Sequence, residues 1–159
     1  MNKLPPFPDF SLPATGDQVF HLQSARGKFL IVYFYPKDNT PGCTTEAQNF
    51  RDLYPEFQKL NADLVGISRD SLKSHENFKA KYNLPFPLLS DADEVVCNLF
   101  AVIKQKMMYG KEVRGIERST FVFGPDGALC HGWRGVKVPN HAQQVLEYVQ
   151  SLASNVSPN

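Results

Sequence analysis

Phe29-Leu30-Ile31-Val32-Tyr33-Phe34-Tyr35 runs without a break into Pro36-Lys37-Asp38-Asn39-Thr40-Pro41-Gly42-Cys43-Thr44-Thr45-Glu46. The first part is apolar, β-branched and aromatic with no polar alternation, the pattern of a strand buried on both faces at the centre of a sheet. Turn-forming residues follow. Helical spacing then appears over 43–59 through Ala47, Phe50, Leu53, Tyr54 and Phe57, with Pro55 expected to kink or break the last part. Thr40 falls at the N-cap of that helix, Pro41 at its first position and Cys43 in its first turn. The free amides and dipole of a helix N-terminus stabilise a thiolate, the nucleophilic form of cysteine. Gly42 lets the backbone come close, so amides near Cys43 can face a bound oxygen. Free cysteine is commonly a small buried hydrophobe. The strand-to-helix junction, with a hydroxyl three residues before the thiol, favours chemistry instead.

Working outward, Asp9-Phe10-Ser11-Leu12 and Gln18-Val19-Phe20-His21-Leu22 flank a Gly-Asp turn and predict an N-terminal β-hairpin. A second strand is expected at 62–68, a helix capped by Asp70 or Ser71 and running through Tyr82, an extended segment at 84–89, and a helix from Ser90-Asp91 to Phe100. Gly124-Pro125-Asp126-Gly127 is a turn joining strands at 119–123 and 128–133. A helix over 140–153 ends the chain, with 154–159 expected to fray. Strands alternating with helices and closing on a hairpin imply an α/β domain, a mixed β-sheet flanked by helices, spanning 1–159 as one unit.

With 159 residues, the chain can bury roughly 68–70% of its unfolded surface. A formal net charge of +1, with scattered lysines and arginines, gives no electrostatic case for nucleic acid or an anionic membrane. No run is long and apolar enough to span a bilayer, and no secretory pattern stands at the N-terminus. Three cysteines without such a signal point to a reducing compartment, with the cytoplasm as the expected location. The four histidines show no metal-ligand spacing with the cysteines, and the glycines form no phosphate-cradling motif, so neither metal nor cofactor is expected. Met107-Met108-Tyr109-Gly110 could line a docking surface, although ordinary packing is the expectation there.

Pro36, Thr40 and Cys43 form P-x-x-x-T-x-x-C, with Glu46 at the acidic position that often follows. Asp9-Phe10, Gly27-Lys28, Tyr33-Phe34-Tyr35-Pro36, Glu117-Arg118-Ser119-Thr120-Phe121 and Lys137-Val138 extend the match. Over nearly its full length the chain resembles the peroxiredoxins, in particular the PrxQ or bacterioferritin comigratory protein branch. The resemblance implies a thioredoxin-like fold and a thiol peroxidase acting on hydrogen peroxide and organic hydroperoxides. It further implies recycling by thioredoxin or a similar thiol donor, and a monomer. Cys43 would be the attacking thiolate, which becomes a sulfenic acid. Thr40 and the Cys43 amide would hold the peroxide, and Arg118 would stabilise the thiolate and the peroxide oxygens. Glu46 would orient that guanidinium, and Pro36 would shield the sulfur from water.

The thiol that resolves the sulfenic acid is open. Many relatives have a cysteine five residues after the reactive one, where this chain has Gln48; a variant has one in the following helix, near Lys79 here. Cys97 is the resolving candidate, because on a regular helix it falls off the stripe of Val95, Val96, Leu99 and Phe100. Cys130, alternating within a strand, is the lesser candidate. A one-cysteine cycle with an external thiol is the third possibility. Two rival functions remain: a thiol–disulfide oxidoreductase, disfavoured because no C-x-x-C surrounds Cys43, and a redox sensor.

Overall fold

The computed structural model describes residues 8–155. Its chain opens with the expected hairpin, β1 (Ser11–Ala14) and β2 (Gln18–His21), followed by a 3-10 turn (Leu22–Ala25). Then come β3 (Phe29–Phe34), α1 (Pro41–Lys59), β4 (Ala62–Ser68), α2 (Leu72–Tyr82) and β5 (Leu88–Ser90). The rest is α3 (Val95–Leu99), β6 (Ile103–Met108), β7 (Lys111–Ile116), β8 (Ser119–Phe123), β9 (Leu129–Arg134) and α4 (His141–Asn155). Seven strands form one sheet in the order β2-β1-β5-β4-β3-β8-β9, and β6 pairs with β7 apart from it. β3, β4 and β5 are parallel, whereas β8 runs antiparallel to β3. This is the thioredoxin-like α/β architecture with an N-terminal hairpin.

Every residue of β3 is buried. Large side chains removed from water contribute roughly 1.5–3 kcal/mol each, more than the roughly 1–2 kcal/mol per residue needed to fix the strand backbone. Alternation divides them between two cores. Ile31, Tyr33 and Tyr35 pack with Cys43, Phe50 and Phe57 of α1 and Val145 and Val149 of α4. Leu30, Val32 and Phe34 pack on the other side with Val96, Cys97, Phe100 and Phe121.

Three expectations need correction. Pro55 does not break α1: it is exposed, and Phe57 beyond it is buried and holds the last turn to the core. The segment 91–100 is not one regular helix. Buried Asp91 accepts hydrogen bonds from the amides of Val96 and Cys97 at 3.2 and 2.6 Å, and Glu94 takes φ +62°, so only Val95–Leu99 is helical. That start rotates the buried face to Val96, Cys97 and Phe100, leaving Val95 67% exposed and Cys97 at 0%. Cys97 is therefore a core residue and not an off-core thiol. Met107, Met108 and Tyr109 do not pack in the interior either. They crown the β6–β7 hairpin, turning through Tyr109 and Gly110 at φ +53° and +76°, and are exposed. This hairpin left no periodic signal because both of its faces meet water along most of its length.

Gly66 of β4 lies opposite Tyr33, and a Cβ there would sit 2.8 Å from Tyr33 Cζ and 3.0 Å from Leu88 Cδ2. Gly66→Ala should therefore lower stability by about 1–3 kcal/mol in urea denaturation. An unchanged midpoint would show that the phenol ring does not need that space.

Candidate active site

The carboxyl end of β3 releases the loop 35–40 and the first turn of α1, the usual place for a ligand site in an open α/β sheet. Pairing of Phe34 with Ser119 brings the start of β8, and with it Arg118, to the same end. Segments 75 residues apart thus meet, with Arg118 Nη2 at 3.4 Å from Cys43 Sγ. Arg118 Nη1 donates to Glu46 Oε1 at 2.6 Å. Cys43 and Glu46 are one turn apart on α1, so a single planar fork reaches both. The Arg118 carbonyl accepts the Val136 amide at 2.9 Å, which anchors the backbone behind the fork.

Burial makes these charges count. Cys43 is 2% exposed and Glu46 1%, so solvent screens their interaction with Arg118 weakly. Burial pushes the Glu46 carboxyl up to about 7, against the pull of Arg118. Burial also works against the charge on Arg118, but Glu46 and Cys43 outweigh it and hold the guanidinium above its usual range. It is a permanent cation. Gly42 has a further function that the sequence did not reveal: a Cβ there would lie 3.2 Å from Arg118 Nη2. The missing side chain leaves room for the guanidinium.

Thr40 occupies the N-cap position in extended conformation, but its hydroxyl does not cap the helix. It donates to the Lys37 carbonyl at 2.8 Å, while the Thr40 carbonyl accepts the Thr44 amide at 2.8 Å. Pro36 is exposed at the rim of this loop. Around Cys43 the structure thus gathers Arg118 and, through Arg118, Glu46.

A buried brace beneath the loop was not visible in the sequence. Tyr35 Oη donates to Asp38 Oδ1 at 2.5 Å, and Asp38 Oδ2 accepts Ser74 Oγ at 2.8 Å and meets His75 Nδ1 at 2.7 Å. His75 Nε2 donates to the Leu89 carbonyl at 2.9 Å, and the Asp38 amide donates to Asp70 Oδ2 at 2.7 Å. Ligand-type atoms of Asp38, Asp70 and His75 lie within 4.8 Å of one another. Hydrogen bonds already engage all three residues, and the cluster joins the loop before α1 to the start of α2. Its partners come from separate elements, and no local spacing signals them.

Cys97 packs in the core on the opposite side of β3 from Cys43. Burial, the hydrogen bond to Asp91 and that residue's charge push its thiol well above the ordinary range. Cys130 is exposed on β9, and all three cysteines are free.

A half-buried arginine fork on a buried cysteine at a helix N-terminus, set on a thioredoxin-like sheet, defines a thiol-based peroxidase, and residues 5–131 match the AhpC/TSA family, to which the chain belongs. Within that family it falls in the PrxQ or bacterioferritin comigratory protein branch. It is 52% identical over 145 residues to peroxiredoxin Bcp of Xanthomonas campestris, covering 91% of each chain. Against peroxiredoxin Bcp of Bacillus subtilis it is 44% identical over 146 residues, covering 92% of this chain and 93% of that one. The solved structure of the Xanthomonas campestris bacterioferritin comigratory protein, described for its alkyl peroxide reduction activity, superposes with TM-score 0.87 at 51% identity. It covers 91% of this chain and 92% of that one. Xylella fastidiosa PrxQ superposes with TM-score 0.89 at 44% identity, covering 96% and 98%. The protein reduces peroxides through a catalytic cysteine.

Gly42→Ala should leave the fold intact and lower kcat/KM by about tenfold, equivalent to about 1.4 kcal/mol, by displacing Arg118. An unaltered rate would mean that the fork is not held where the structure places it. A second prediction concerns acid stability. His141 bonds the Thr120 hydroxyl at 2.8 Å, and burial followed by the Arg118 charge pushes it down to about 4 from 6.5. Below about pH 6.5 the unfolded chain takes up a proton at this residue that the folded chain refuses, so stability falls as pH drops toward 4, by up to roughly 3 kcal/mol. His141→Gln should weaken that acid dependence in urea titrations. An identical dependence in the variant would exclude His141 as its source.

Proposed function

We propose that Cys43 is the attacking sulfur, that Arg118 and Thr40 with the Cys43 amide hold the peroxide, and that Glu46 fixes the guanidinium. The observation that carries this reading is the 3.4 Å approach of Arg118 Nη2 to Cys43 Sγ. The thiolate attacks one peroxide oxygen, the S–O bond forms, the O–O bond breaks, and the departing oxygen leaves with a proton as alcohol or water. Charge moves from sulfur to that oxygen, and fixed donors already aimed at the site stabilise it without reorganisation. Pro36 limits water from the outer side of the loop. The likeness to a protein described for alkyl peroxide reduction supports organic hydroperoxides beside hydrogen peroxide as substrates.

The sulfenic acid is reduced by an external dithiol of the thioredoxin type in a one-cysteine cycle. One donor thiol forms a mixed disulfide with Cys43 and releases water; the second displaces Cys43 and leaves the donor oxidised. The placement of Cys97 across the sheet supports this route over an internal disulfide, which tolerates Cα atoms only about 4.4–6.8 Å apart. All the proposed site residues belong to one chain, which supports a monomer as the working unit. Three free cysteines suit a reducing compartment, the cytoplasm. Among the described residues no helix is long and apolar enough to cross a membrane.

Cys43→Ser should abolish thioredoxin-linked peroxide turnover, and Arg118→Lys should lower kcat/KM on the order of 10²-fold. Sustained thiol-dependent peroxide consumption by the serine variant would overturn the assignment of Cys43. Mass spectrometry after one equivalent of peroxide should find a sulfenic acid on Cys43, or its mixed disulfide with added thiol. A Cys43–Cys97 disulfide would reject the one-cysteine cycle.

A further inference from the structure

Arg118 is one half-buried cation facing two buried acids, Cys43 through Nη2 and Glu46 through Nη1. With both acids ionised, the pocket would hold one more negative than positive charge, away from solvent, where an uncompensated charge is strongly disfavoured. The far side of the carboxyl group sharpens the point. Glu46 Oε2 is buried and has no hydrogen-bond partner among the described residues, and the same holds for the Tyr33 hydroxyl. An unpartnered buried oxygen costs more when the carboxyl group is ionised than when it is neutral, so the lack of any donor at Oε2 favours the protonated form, although its O–H then also lacks an acceptor.

Among the described residues, Tyr33, Asp38 and His141 are the further titratable groups that act on this site. Tyr33 on β3 is pushed well above its usual range by burial and then by Glu46, Cys43 and Asp38, so it stays neutral. Asp38, in the loop after β3, is engaged by Tyr35, Ser74 and His75. His141 on α4 is held neutral by burial and the Arg118 charge. Burial places Glu46 itself at about 7, where it can exchange a proton under ordinary conditions.

We propose that Glu46 carries a proton while Cys43 is a thiolate and gives it up when the sulfur becomes a sulfenic acid, so that one anion faces Arg118 throughout the cycle. The inference rests on Cys43 being the attacking sulfur. The oxidative step balances as Cys43–S⁻ + ROOH + Glu46–COOH → Cys43–SOH + ROH + Glu46–COO⁻. The sulfur loses two electrons, the O–O bond takes them up, and the departing oxygen's proton is matched by the one that Glu46 loses. Reduction by the external dithiol regenerates the thiolate and releases one proton, which returns to Glu46. Glu46 acts through Arg118 and through this proton; it is a positioning and charge-compensating residue.

The test is reduced-minus-oxidised infrared difference spectroscopy on the full chain near pH 6, just below the value to which burial lifts Glu46, before and after one equivalent of hydrogen peroxide. The expected result is loss of a protonated-carboxyl C=O stretch and gain of carboxylate bands on oxidation, shifted by ¹³C-glutamate labelling and absent in Glu46→Gln. A pH-indicator dye should record no net proton uptake by the wild-type protein and one proton per sulfenic acid in the glutamine variant. A carboxyl band unchanged by oxidation, or one that persists in Glu46→Gln, overturns the proposal; so does equal proton uptake by both proteins. If the variant does not fold, the labelled wild-type spectrum decides alone, since Glu46 is the buried glutamate among the described residues. Dimedone trapping on the same samples separates the two levels of inference. A sulfenic acid on Cys43 with no carboxyl change rejects only the role of Glu46, whereas oxidation at another cysteine rejects the site.

Discussion

The complete burial of β3, between β4 and β8 along its edges and between two cores across its faces, is the constraint on which the molecule depends. A strand held so firmly has no freedom of register, because a slip of one residue would exchange the residues facing α1 and α4 with those facing α3. Its carboxyl end is consequently a fixed point. The start of α1 and the start of β8 are both referred to it, and the distance from Arg118 to Cys43 follows from their two attachments. A site that must stabilise charge at the moment of reaction benefits from groups already in place, since nothing then has to reorganise.

In the proposed chemistry, a half-buried cation is over-supplied with acids. Arg118 lies between Cys43 and Glu46, and the space it occupies exists because residue 42 is glycine. A glutamate bonded to a guanidinium can act as a clamp, and the 2.6 Å bond of Glu46 to Nη1 is consistent with that. The unpartnered Oε2 adds a second role that a clamp alone does not require. In the proposed cycle, proton occupancy of Glu46 keeps the pocket near neutrality while the sulfur alternates between charged and uncharged states. The Tyr35–Asp38–His75 brace is the mechanical counterpart. It ties the loop that bears Thr40 to α2 and to the Leu89 carbonyl, so the loop is held from below as well as by its own helix.

Cys97 illustrates how a periodicity argument fails. On a regular helix over 91–100 it would fall outside the apolar stripe. Asp91 captures the amides of Val96 and Cys97 instead, the helix begins late, and the phase turns. The thiol that looked available becomes one of the most buried atoms of the second core. Pro55 shows the converse: a local breaking signal was overridden by the burial of Phe57 beyond it.

Local sequence was enough to give the layered α/β plan, the central strand, the helix that begins at Pro41, and the place of Cys43 in its first turn. These follow from uninterrupted burial, helical spacing and turn chemistry, all of which are local. The pairing of Arg118 with that helix was legible only through a family pattern, because no rule of spacing connects residues 75 positions apart. The face on which Cys97 lies, the brace beneath the loop, the space left by Gly42 and the unpartnered oxygen of Glu46 emerge only on packing. Each of these depends on which surfaces come together once several elements have packed, and on which polar atoms that packing leaves without a partner. Local sequence carries neither.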